Sequence, residues 1–83
     1  MRPGITVPLS KPVVVLGQRY EALTLRPLKR RDLGAVASVF KSEMGVLLTA
    51  RLAGVPAAVI VALDDPDDAT VGAAVNAMLD QVL

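Results

Sequence analysis

The first third of the chain alternates. Ile5, Val7 and Leu9 interleave with Thr6, Pro8 and Ser10, a period of two that marks a short strand, and Pro8, with no N–H to give to a ladder, confines it to a sheet edge. Residues 13–16 and 19–25 then flank Gly17-Gln18, and a glycine at the first central position is what a type II′ two-residue hairpin turn requires. In the second arm Leu23 and Leu25 share one face while Thr24 and Arg26 share the other, so one side packs and one meets water.

The period changes after Pro27. Leu33, Val36, Ala37 and Phe40 recur at i, i+3, i+4 and i+7, an amphipathic helix of about three turns with Asp32 suited electrostatically to its first turn. The stripe continues through Met44, Leu47, Leu48 and Leu52, so periodicity alone allows one helix over residues 30–53; Ser42 as an N-cap, followed by Gly45, favours a break. Gly54 can take the left-handed conformation that closes a helix, and Pro56 suits the first turn of the next. Val59, Ile60 and Leu63 carry an apolar face for barely two turns. Asp65 then reads as an N-cap with Pro66 at the first helical position, and Asp67 and Asp68 complement the helix dipole. The last helix shows Val71, Val75, Met78, Leu79 and Val82 on one side against Thr70, Asn76 and Asp80 on the other. The pattern predicts one α+β domain over residues 1–83. A small hairpin region at about 5–26, with or without a short extra edge strand, packs on three to four helices at about 29–82.

Composition sharpens this picture in one respect. A domain of 83 residues buries only about two-thirds of the surface its unfolded chain exposes, yet 53% of the residues are apolar and the mean hydropathy is +0.53, with one Phe, one Tyr and no Trp. Such a surplus of Ala, Val and Leu surface points to self-association or to a held partner. The wide closing stripe of Val71, Val75, Met78, Leu79 and Val82 is the expected contact surface, with Met78 the most adaptable member.

Charge and candidate chemistry exclude more than they suggest. The net charge is +1, with Arg19, Arg26, Lys29, Arg30 and Arg31 early and Asp64, Asp65, Asp67 and Asp68 late, which does not invite nucleic acid. Lys29-Arg30-Arg31 reads as a solvated helix start, and the helix-turn-helix outline at residues 47–63 offers only apolar side chains where base edges would need polar ones. The acidic cluster lacks the calcium-loop pattern, because counting from Asp64 the sixth and twelfth positions are Ala69 and Val75; no metal or cofactor is expected. With no His and no Cys, Ser10, Ser38 and Ser42 have no base to activate them, and no enzyme is expected. Pro3, Pro8, Lys11 and Pro12 interrupt any signal-peptide core, and the apolar run 53–63 is too short to span a bilayer. The expectation is a soluble, cytoplasmic protein without a membrane partner.

Several pieces in order then carry a resemblance. Leu9-x-x-Pro12 leads to Gly17, followed by Tyr20-x-x-Leu23-x-Leu25-Arg26-Pro27, Asp32-Leu33, the run from Leu48 through Arg51 and Gly54 to Pro56, Leu63-Asp64-x-x-Asp67 and a closing helix ending near Met78-Leu79. The chain resembles, over nearly its whole length, the small tail assembly chaperones of Mu-like contractile-tailed phages and prophages. It departs from them in a short segment before Leu47 and in Val55, where Leu is commoner. The resemblance implies a non-enzymatic protein of the host cytoplasm that binds the helical, apolar tape measure protein and keeps it soluble during tail morphogenesis. It also implies that this is the short form, beside a longer one made by ribosomal frameshifting. A structural subunit of a tail-like assembly and a small DNA-binding or antitoxin-type regulator are the alternative classes.

Overall fold

The computed structural model describes residues 4–37 and 41–82. Two strands come first, β1 (Ile5–Val15) and β2 (Gln18–Leu25), followed by α1 (Arg30–Val36), α2 (Lys41–Ala53), α3 (Ala57–Val61) and α4 (Asp65–Val82). The strands form an antiparallel two-stranded sheet, and the helices close over one side of it, giving the α+β hairpin-plus-helices arrangement that the change of period predicts. Val7, Val13, Leu23 and Leu25 from the strands meet Leu48, Leu52, Val59, Ile60, Val71, Val75 and Met78 from the helices in one buried cluster.

The expected extra edge strand is not separate. Residues 5–8 are the first half of β1 and pair with the base of β2, Ile5 opposite Leu25 and Val7 opposite Leu23. The register then jumps: Pro8 faces Ala22 but Val13 faces Tyr20, so residues 9–12 all stand against Glu21. Pro8 and Pro12 explain why the ladder opens here, since neither can donate to it. Beyond the bulge the buried positions of β2 change parity, from Leu23 and Leu25 to the half-buried Tyr20, and Val13 and Val15 accompany Tyr20 into the packed side.

The hairpin turn lies one residue earlier than expected. Val15 pairs with Gln18, leaving Leu16 and Gly17 as the central residues, at φ +52° and +78°. Two positive φ values make this a type I′ turn, whose twist matches that of the strands. A turn on Gly17-Gln18 would have moved every cross-strand partner by two residues and separated Val13 from Tyr20. Leu16 is therefore held in a left-handed conformation that costs a leucine about 1–2 kcal/mol, and it is 95% exposed.

In the helical half, α1 and α2 are separate, as the break predicts. α1 is shorter than three turns: Ala37 is its C-cap and is exposed, and the Ala37 N–H donates to the Gly34 carbonyl at 3.4 Å, a three-residue closure that tightens the end. Phe40 lies outside the described residues. Ser42 is not a cap, because Lys41 already belongs to α2. At the other end of α2 the turn forms as expected. Gly54 has φ +68°, and the Val55 N–H reaches back to the Ala50 carbonyl at 3.1 Å, the long bond of a Schellman closure. Pro56 is the N-cap of α3, not a residue of its first turn. The start of α4 is displaced by one as well. The Asp64 carbonyl takes the Asp68 N–H at 2.9 Å, which makes Asp64 the cap and puts Asp65 and Pro66 inside the first turn, where a missing N–H is equally harmless.

The strained turn generates a prediction. Leu16→Asn replaces a residue that resists positive φ with one that tolerates it beside Gly17, so it should raise the unfolding free energy by about 0.5–1 kcal/mol in urea titration. An unchanged or lower midpoint would contradict the turn geometry.

Candidate functional site

Three features stand out on this scaffold: two carboxylates turned inward, a basic edge around one of them, and a groove between helices. Asp32 is the first carboxylate. As the third residue of α1 it is fully buried, and its Oδ2 accepts the backbone N–H of Lys29 at 2.9 Å, capping the helix start. Its remaining capacity goes to two guanidiniums. Arg26 binds it in a fork, Nη1 to Oδ2 at 2.9 Å and Nη2 to Oδ1 at 2.6 Å, while Arg51 donates Nε to Oδ1 at 2.8 Å. A backbone bond from the Arg26 N–H to the Leu52 carbonyl, 3.1 Å, runs alongside. The Arg26 hydrogen bonds, aided by those from Lys29 and Arg51, outweigh desolvation and hold the Asp32 carboxyl well below the usual carboxylate range; Arg26 is pushed up in return. The expected stripe of α1 is thus turned: Asp32 and Val36 face inward and Leu33 is only half-buried.

Asp67 is the second. It is buried in the first turn of α4, and its two oxygens accept the backbone N–H groups of Ser10 (2.8 Å) and Lys11 (3.2 Å). Those amides lie in the β1 bulge, where no strand partner is opposite to take them, so the carboxylate satisfies what the ladder leaves open. These bonds, the one from Ser10 foremost, lower its pKa against the opposing effect of burial. Asp67 is therefore more than a charge at a helix dipole. Its neighbours Asp64, Asp65 and Asp68 are exposed. Among the described residues no group of three or more His, Cys, Asp or Glu side chains converges to hold a metal ion, and no helix is long and apolar enough to cross a membrane.

The groove runs between α2 and α4, with a volume of about 470 Å³. Met44, Val46 and Leu48 line one wall, Val71, Val75 and Leu79 the other, and Leu33 and Ile60 complete it. The closing stripe expected to meet a partner is divided by this packing. Val71, Val75 and Met78 are buried in the core, Met78 at 7% exposure, while Leu79 and Val82 are half-buried. The reason is rotational: positions 71, 75 and 78 turn into the core, positions 68, 72, 76 and 79, one step around α4, border the groove, and Val71 and Val75 lie at the boundary and line both. Gly45 on α2 and Gly72 on α4 leave it open, since a Cβ added at either would meet nothing within 4 Å. Sequence reasoning missed these two glycines and both inward carboxylates. The signal available was that Arg26, Asp32, Arg51 and Asp67 all lie among the residues that carry the family resemblance.

Comparison with known proteins agrees with that resemblance. A family model described as "Phage tail assembly chaperone proteins, E, or 41 or 14" matches residues 6–80. No curated protein and no solved structure gives a match.

The Asp32 cluster predicts a pH dependence. Because the folded-state pKa lies below the unfolded value, the stability it contributes is complete above about pH 5 and declines as the pH falls through the ordinary carboxylate range toward the depressed value. Asp32→Asn should cost about 3 kcal/mol at neutral pH, near the low end for a broken buried pair because both guanidiniums keep access to water. The gap between native and variant should narrow when denaturation is repeated at about pH 3. A gap that stays constant with pH would show that the charge on Asp32 is not what matters.

Proposed function

The chain belongs to the phage tail assembly chaperone family, and we propose that it binds the tape measure protein of its own phage or prophage and keeps it soluble in the host cytoplasm until the tail tube assembles around it. The observation that carries this beyond the family is the α2–α4 groove. It is lined by Met44, Val46, Val71, Val75 and Leu79, side chains that accept the apolar stripe of a helix without demanding particular polar groups. A tape measure protein presents such stripes. The same groove, offered to a second copy or to a frameshifted longer form of the chain, accounts for self-association when no tape measure is present. Leu79 is half-buried on its wall beside Val71 and Val75, and Val82, also half-buried, lies one turn of α4 further along.

Co-expression with the cognate tape measure protein should raise the soluble yield of that protein and bring the two down together. Gly72→Leu separates this role from folding. It adds helix propensity, worth about 0.5–1 kcal/mol of stability, and fills the groove, so the variant should melt higher yet lose the tape measure protein on co-purification. If the tape measure protein is equally soluble alone, or Gly72→Leu retains it fully, the groove is not its binding site.

A further inference from the structure

A second surface lies beside the Asp32 carboxylate. Lys29, Arg30 and Arg31 at the start of α1 are exposed, and the side chains of Arg26 and Arg51 are 39% and 43% exposed while Asp32 is completely covered. Two guanidiniums thus hold one buried anion, whose oxygens are already taken by Arg26, Arg51 and the Lys29 amide, and three further cations precede it in the chain at the start of α1. The cluster keeps a large positive excess on a protein whose total charge is only +1. Arg51 is the most specific member. Its Nε is anchored on Asp32 at 2.8 Å, and its Nη1 and Nη2 form no hydrogen bond among the described residues. A guanidinium fixed by one edge with the terminal pair free is a ready-made fork for a carboxylate, and its ordering has been met in folding.

We propose that this edge is a docking surface for an acidic protein segment, with the terminal nitrogens of Arg51 gripping one carboxylate and Arg30 and Arg31 engaging its neighbours. Protein is favoured over nucleic acid by the surroundings. No aromatic side chain joins the described cluster to stack on a base, and the fork of Arg51 matches the planar carboxylate of a side chain. Leu33, two residues beyond Arg31, lines the groove, so the basic edge borders its α1 end. The surface does not depend on which protein fills that groove.

The test uses a fluorescent peptide of consecutive glutamates and a single-stranded oligothymidylate of equal charge, each titrated into the full chain at low salt. The native protein should bind the peptide more tightly than the oligonucleotide. Arg51→Lys keeps the charge but removes the fork, and should weaken the peptide about tenfold, as expected for the loss of charge-assisted hydrogen bonds. The double variant Arg30→Gln with Arg31→Gln leaves every Asp32 contact in place and should also weaken it, with unchanged thermal unfolding. The proposal is overturned if the peptide does not bind, if Arg51→Lys and the double variant bind it like the native protein, or if the oligonucleotide binds as tightly as the peptide.

Discussion

A buried carboxylate with every acceptor site filled holds the helical half of this protein to its hairpin. Asp32 joins the strand exit at Arg26, the start of α1 at Lys29 and, nineteen residues further on, the last turn of α2 at Arg51. An ion taken out of water is tolerable only when its hydrogen bonds are complete, so the site enforces all three positions together. If α2 slid by a turn, Arg51 would leave, and if the β2 exit changed direction the Arg26 fork would open. The apolar core supplies most of the stabilisation, but hydrophobic contacts among Ala, Val and Leu are weakly directional. The carboxylate selects among packings that the core alone would accept.

Asp67 does the corresponding work for β1. The bulge in β1 lets β2 switch from burying Leu23 and Leu25 to turning Tyr20 inward while β1 keeps Val7 and Val13 in the core, at the cost of two β1 amides with no partner in the ladder. A carboxylate from the first turn of α4 takes both. That bond fixes the approach of α4 to β1, and through it decides which residues of α4 enter the core and which border the groove. Arg26, Asp32, Arg51 and Asp67, all within the stretches through which the chain resembles the tail assembly chaperones, are thus chiefly structural. They hold the frame that carries the α2–α4 groove.

That groove is built from small and flexible side chains in place of shaped polar ones: two glycines keep it open and a methionine lies on its wall. In the proposed role, grip on an apolar helix would come from area and adaptability, and orientation from charge at the border of the groove.

The periodicity of side chains determined the class of fold, because a strand and a helix bury different spacings and the change at Pro27 is abrupt. The Gly54 closure was equally legible, since only a residue without a Cβ enters that conformation freely. Other features depended on contacts between distant parts of the chain. The hairpin register was set by Val13 packing directly opposite Tyr20, which overrode the local preference of Leu16 for negative φ. The shortened α1, the exact cap of α4 and the division of the closing stripe followed from how the helices settled on the sheet. Asp32 and Asp67 read as surface charges in one dimension, because nothing adjacent in sequence tells a carboxylate that arginines or orphaned amides will surround it. Only tertiary structure brings donors from residues 10, 11, 26 and 51 to those two side chains, and that meeting turned two solvated acids into the joints of the fold.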